Sequence, residues 1–348
     1  MRFGSLAFLA VLVASPASAG GAAAAPVQQT IAYQSGHIRT VAQNAHVVSW
    51  ITLQSGSCQA VIRLRNLAAH TQQSLNTASG PTCSFETDAT DRLAVAHDTQ
   101  AIWVYSEFGN DSYFHLIRGQ TGGGADHEFD QLEWGDTNNY AVTTAGADTT
   151  GVIGWYQANL RDDCLDGSGP TPCPTVVYEG GVKTAAGAAV PGAPPAGAVA
   201  GSSGRVAILV AGTVGAPPTL TAGDVQIRTI ATGALVGHFT AGAPVKRLSL
   251  SPAHAAVLLA GRIKKFSLAG AAQGTVPVAS TAAELSISDS WIVYCTGSTI
   301  HAIPFGGGAA ITIHAASTPR GLSVWNKRVV WAETYAAHRS RIQSVTLP

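Results

Sequence analysis

An all-β chain closed into a ring, a β-propeller of seven four-stranded blades, is what the sequence predicts. Three observations carry the prediction: a pair of short strands that recurs seven times, the spacing of those recurrences, and a surplus strand near the beginning that complements a strand missing at the end.

The recurring pair is a first strand of alternating type, a tight polar turn, and a second strand that is more continuously apolar. It occurs at 37–42 with 47–51, 92–96 with 101–105, 140–144 with 152–156, 197–200 with 206–210, 247–250 with 256–259, 284–287 with 291–294, and 321–324 with 329–332. From one second strand to the next the spacing is 36 to 54 residues, the length of one four-stranded blade. Two further strand-like runs follow each pair, most plainly 298–305 and 310–314, split by Gly306, Gly307 and Gly308. A single blade leaves both faces of its sheet uncovered, so such units are expected to stack around an axis.

The ends of the chain complete the pattern. The last unit offers only three strands, the third at 341–347, whereas 29–35 is a surplus strand followed by Gly36. Pairing the two is expected to complete the last blade and leave no open sheet edge at the seam. The Pro-, Gly- and Ala-rich run 185–204 reads as a long connection between blades, because the pattern continues in phase on both sides of it.

Residues 248–260, which read Leu-Ser-Leu-Ser-Pro-Ala-His-Ala-Ala-Val-Leu-Leu-Ala, resemble the strand, Ser-Pro turn, strand element of WD40-like and TolB-like propeller repeats of exported bacterial proteins. The resemblance extends over the chain as a pattern and is specific at 246–300. The chain departs from the intracellular WD40 pattern in having no Trp-Asp dipeptide at the blade ends, and from the sialidase pattern in lacking Asp boxes.

The beginning of the chain points to export. Arg2 precedes the apolar run 6–13, and Ser15, Pro16, Ala17, Ser18 and Ala19 supply the small residues that signal peptidase accepts. Residues 1–19 are therefore expected to be a signal peptide and 20–348 a single propeller domain, secreted to the exterior or the periplasm. The apolar run is too short to span a bilayer, so no membrane span is expected. Five cysteines in an exported chain invite disulfides. Cys164 with Cys173, and Cys58 with Cys83, are the expected pairs, and both fall in loops of one face. Cys295, in the apolar run 291–295, is expected to be a buried free thiol.

The net charge is zero and only 11% of residues are charged, which gives no sign of a nucleic-acid or membrane partner. The charge is unevenly placed, however. Residues 30–179 hold 6 basic and 16 acidic residues, a net of −10, and residues 180–348 hold 13 basic and 4 acidic, a net of +9. Glu107, Asp111, Asp136, Asp162, Asp163 and Asp166 map to loops of the expected binding face and form the candidate patch for a ligand, a basic partner or a cation such as Ca²⁺. Such carboxylates are equally the ordinary content of exposed loops.

No catalytic motif emerges: there is no Gly-x-Ser-x-Gly, no His-Glu-x-x-His, no P-loop, and no Gly-x-Gly-x-x-Gly leading into a helix. His301 and His314 recur at similar strand positions, which alternation explains without a metal. The tryptophans at 50, 103, 155, 291, 325 and 331 lie in the apolar strands and read as core, whereas Trp134 reads as a surface aromatic. The residues favour a monomeric, non-catalytic binding or scaffold ring that presents loops to a protein or small ligand. The rival reading is a carbohydrate-active or related hydrolase or lyase with a loop-built site over the channel.

Overall fold

In the computed structural model the described residues are 26–53, 60–75, 93–96, 100–108, 113–121, 127–134, 139–147, 150–160, 169 and 173–348. They form antiparallel sheets arranged around a central axis, each entered through its innermost strand. After β1 (Gln28–Ser35) the chain builds β2 (His37–Gln43), β3 (Val47–Leu53), β4 (Ala60–Asn66) and β5 (Gln72–Leu75) as one blade. The next blade is β6 (Leu93–Ala96), β7 (Gln100–Phe108), β8 (Tyr113–Thr121) and β9 (His127–Trp134). A sheet of three strands follows: β10 (Asn139–Ala147), β11 (Thr150–Leu160) and β12 (Thr175–Thr184). Then come β13 (Ala196–Ser202), β14 (Arg205–Val210), β15 (Asp224–Thr229) and β16 (Leu235–Thr240). They are followed by β17 (Arg247–Leu250), β18 (His254–Leu259), β19 (Arg262–Ser267) and β20 (Ala272–Pro277). The next four are β21 (Leu285–Ile287), β22 (Trp291–Thr296), β23 (Thr299–Pro304) and β24 (Ile311–His314). The chain finishes with β25 (Arg320–Trp325), β26 (Arg328–Ala336) and β27 (Arg339–Thr346).

The expectation of seven four-stranded blades is corrected here: among the described residues six sheets have four strands, and the unit built from β10, β11 and β12 has three. The reason lies in residues 185–195, the Pro- and Gly-rich run that separates β12 from β13. Where an outer strand would run, the chain makes one isolated bridge, Lys183 to Ala189, and the bonds Thr184 N–H to Ala188 O (2.8 Å) and Val190 N–H to Val182 O (2.8 Å). Pro191, Pro194 and Pro195 then follow, and proline has no N–H to extend a ladder.

The seam forms as the terminal strands predict. β1 pairs antiparallel with β27, from Gln28 opposite Val345 to Ser35 opposite Arg339, and supplies the fourth strand of the sheet β1-β27-β26-β25. The closure is reinforced at the axis, where Arg328 donates from Nε to Gln43 Oε1 (2.7 Å) and from a terminal nitrogen to the Asn44 carbonyl (2.6 Å). Gln43 in turn donates to the Ser323 carbonyl (2.8 Å).

The core lies between sheets, and strand alternation decides which neighbour each side chain meets. In β18, Ala255, Val257 and Leu259 pack against Leu209, Val225, Ile227 and Phe239 of the preceding blade, while Ala256 and Leu258 face Leu285, Ile287 and Tyr294 of the following one. Buried on both faces, a second strand reads as a continuous apolar run. Phe239 and Phe266 stack across one such interface with ring centroids 3.8 Å apart. Outer strands are the opposite case: β20 is exposed along almost its whole length, and polar residues suit it. Trp50, Trp291 and Trp331 are buried in these interfaces, but Trp155 and Trp325 are only partly covered. Cys295 is a buried free thiol, and burial pushes its pKa up.

Candidate functional site at the mouths of the central channel

The innermost strands carry a small polar side chain at a repeated position, and it links one sheet to the next. Ser249 Oγ accepts the Ile287 N–H (3.0 Å), Ser286 Oγ accepts the Val324 N–H (3.0 Å), and Thr143 Oγ1 accepts the Val199 N–H (3.1 Å). The Leu-Ser-apolar triplets at 248–250 and 285–287 are the sequence signal of this device in two of the strands. Because these hydroxyls are used as acceptors, the register between neighbouring innermost strands is fixed and the channel they line has a defined shape.

The channel has two chemically different mouths. The one formed by the turns after the innermost strands encloses about 200 Å³ and is lined by Gln43, Asn44, Ser202, Ser251, Ser288, Asp289, Trp325 and Asn326 among others. Its polar groups are largely committed to the fold: Ser288 donates to the Asn326 carbonyl (2.7 Å), and Asp289 accepts the Ala253 N–H (2.9 Å).

The other mouth encloses about 190 Å³ where the innermost strands begin, on the face that carries the connections between sheets. Thr40, Thr143, Lys246, Arg247, Glu284 and Gly321 line it. Arg247 and Glu284 form an ion pair at 3.5 Å, and Lys246 donates to the Ser280 carbonyl at 2.7 Å. Arg39 and Arg320 stand beside it, each one residue before a lining residue. Arg39 is the extra residue of a bulge in β2, since Ile38 faces Thr52 and Thr40 already faces Ile51. A matching irregularity follows Arg320, between it and Ser323. Bulges of this kind turn a side chain away from its regular direction and are frequent beside functional sites. Burial, and next the positive charge of Arg320, lower the pKa of Arg39, so the two guanidinium groups act on each other.

Gly321 makes this approach possible. Its backbone sits at φ 62°, and a Cβ there would lie 2.1 Å from Val41 N and 2.8 Å from Thr40 Oγ1. Only glycine lets β25 come this close to β2.

Of the residues expected to form an acidic patch, Glu107 falls in β7 opposite Phe114. Asp111, Asp136, Asp162, Asp163 and Asp166 lie outside the described residues, as do Cys58, Cys83 and Cys164; Cys173 falls just before β12. His301 and His314 lie on neighbouring strands but not opposite one another, His301 facing Thr312 and His314 facing Thr299. Among the described residues no three His, Cys, Asp or Glu side chains gather around one point. None of them forms a helix long and apolar enough to cross a membrane.

Sequence reasoning missed the charged mouth. Arg39, Lys246, Arg247, Glu284 and Arg320 are scattered along the chain, and the only signal that could have gathered them is that each stands at or near the start of an innermost strand.

The fold recurs in solved structures. Raptor from Chaetomium thermophilum aligns with a TM-score of 0.53 at 8% identity, over 93% of this chain and 29% of that one. A structure from an analysis of two prolyl endopeptidases aligns with a TM-score of 0.52 at 12% identity, over 87% of this chain and 45% of that one. TolB from Acinetobacter baumannii aligns at 13% identity over 70% of this chain and 55% of that one, with a TM-score of 0.38. The fold is a β-propeller. The Pan2 WD40 domain from Neurospora crassa is also among the structures it matches, at 11% identity over 92% of this chain and 96% of that one, with a TM-score of 0.49. At these identities the likeness concerns the fold alone. No protein-family model and no curated protein matches the sequence.

Proposed function

We propose that the protein is a non-catalytic binding ring that engages its ligand or partner on the face carrying the connections between sheets. The observation that carries this reading is the contrast between the two mouths. One is lined mainly by serine, asparagine and glutamine side chains with a single charged group, Asp289, and its polar groups are largely bonded within the fold, whereas Lys246, Arg247 and Glu284 line the other, with Arg39 and Arg320 next to lining residues. Charged groups held at the opening of a rigid channel supply selectivity and steer association. Export after cleavage near Ala19, and disulfides joining Cys58 to Cys83 and Cys164 to Cys173, belong to the same reading, because both pairs would brace loops of that face.

The acidic loops add a second component to the face. Asp111, Asp136, Asp162, Asp163 and Asp166, with Glu107 one residue before the end of β7 rather than in a loop, are proposed to bind Ca²⁺ or a basic partner, supported by the net of −10 over residues 30–179. If Ca²⁺ binds the folded state alone, a concentration about 100 times its dissociation constant stabilises the fold by roughly 2.7 kcal/mol. A thermal melt in Ca²⁺ against chelator is expected to show that rise, and Asp162→Asn, Asp163→Asn and Asp166→Asn together are expected to remove it. An unmoved melt defeats the cation version. Turnover of a chromogenic glycoside or ester by the purified protein, lost in Glu284→Gln, would overturn the non-catalytic reading itself.

A further inference from the structure

We propose that the mouth between β2, β17 and β25 is a binding site for a small multivalent oxyanion, a phosphate or a carboxylate. The proposal rests on the binding reading above but not on the acidic loops, whose charge is opposite.

Among the described residues Lys246 and Arg247 line this opening together with one carboxylate, Glu284, which Arg247 shares, and Arg39 and Arg320 each directly precede a lining residue, Thr40 and Gly321. The two arginines at the seam are the informative pair. They come from β2 and β25, strands held in near contact by Gly321, and among the described residues neither is in an ion pair. Like charges held together by the backbone raise each other's energy until an anion stands between them. The bulge at Arg39 and the irregularity after Arg320 set both side chains off the regular strand pattern at the same end of the channel.

The neutral groups of the opening fit the same ligand. Thr143 Oγ1 already accepts the Val199 N–H, so its own proton remains to be donated, and it lines the cavity. Lys246 uses its ammonium on the Ser280 carbonyl and keeps two further protons. Donors and positive charge thus stand on part of the wall of a cavity of about 190 Å³, the rest of which is aliphatic, and it has room for a small polyanion. Arginine forks match the paired oxygens of a carboxylate or phosphate.

Isothermal titration of the full chain at low ionic strength, with sodium pyrophosphate in one series and sodium citrate in another, tests this. Binding of at least one of them is expected, the preferred one naming the class. It should weaken about tenfold or more in the double variant Arg39→Gln with Arg320→Gln, and fall as salt is raised. A control with the same loss of charge at the far end of the channel, Arg205→Gln with Lys327→Gln, should bind within about twofold of the unaltered protein. If the seam variant does not fold, Lys246→Gln serves in its place and should weaken binding several-fold. Binding of neither anion, or equal weakening in the seam variant and the control, overturns the proposal. A partner whose association depends on Asp162, Asp163 and Asp166 would leave the binding reading standing in that event.

Discussion

Glu333 shows how one residue can be locked in place by its surroundings. It lies in β26 with its side chain fully buried, and its carboxylate accepts from four groups. The Ala316 N–H and the Trp331 indole N–H both reach Oε2 at 2.9 Å, Arg341 Nε reaches Oε1 at 2.7 Å, and Gln343 reaches it at 3.5 Å. A carboxylate so placed is tolerated because every lone pair is engaged. Removing it leaves the Trp331 N–H and the Arg341 guanidinium without their acceptor in a tightly packed blade. Glu333→Ala is expected to destabilise the fold by about 3 kcal/mol, the lower end for breaking a buried pair because Arg341 retains some access to solvent. Urea unfolding measures this, and Glu333→Gln, which keeps the shape and one acceptor, should cost less. A loss below about 0.5 kcal/mol for Glu333→Ala would show that the network is not stabilising. This role was not legible in the sequence, since a lone Glu in a strand looks like any exposed charge until its neighbours are known.

At the scale of elements, the innermost strands depend on hydroxyl-to-backbone bonds between sheets. Ser286 Oγ accepts the N–H of buried Val324, and Ser249 Oγ that of buried Ile287. Ser286→Ala strands a buried donor, which is expected to cost about 1–3 kcal/mol, and the same holds for Ser249→Ala. Chemical denaturation of the two single variants and the double variant should give effects that depart from additivity by about 0.5 kcal/mol or more, since the amide that Ser249 accepts belongs to Ile287, the residue after Ser286. Free exchange of the Val324 amide in unaltered protein would contradict the assignment. These serines were legible as a repeated pattern, Leu-Ser followed by an apolar residue, but their partners were not. Strand alternation tells that a side chain leaves a given face; it does not tell which backbone group stands opposite across a gap between sheets. The missing outer strand beside β12 is a similar case. The Pro- and Gly-rich composition of 185–195 was visible, yet whether such a run adds a strand or only bridges to one depends on the hydrogen bonds its prolines cannot make.

The whole molecule depends on closure. β1 and β27 come from opposite ends of the chain, and their pairing covers an edge that would otherwise be a template for association. Deleting residues 27–36 should therefore open the seam, expose the outer edge of β27, and convert a monodisperse species into oligomers or aggregates on size-exclusion chromatography. A deleted protein that elutes and melts as the full chain does would show that the closure contributes nothing.

What the sequence determined by itself was the all-β class, the repeating strand pair, the closing strand and the buried free thiol at Cys295, because each is written in patterns of a few neighbouring residues or in complementary ends. What only the tertiary structure decided was the tally of complete blades, which is six with one three-stranded sheet among the described residues, and the charged mouth that Lys246, Arg247 and Glu284 line beside Thr40 and Gly321. Local pattern fixes which way a side chain leaves its strand. Convergence of residues from the two ends of the chain depends on how closely the backbones approach, and here that distance is set by a glycine, Gly321, whose importance appears only once the ring is closed.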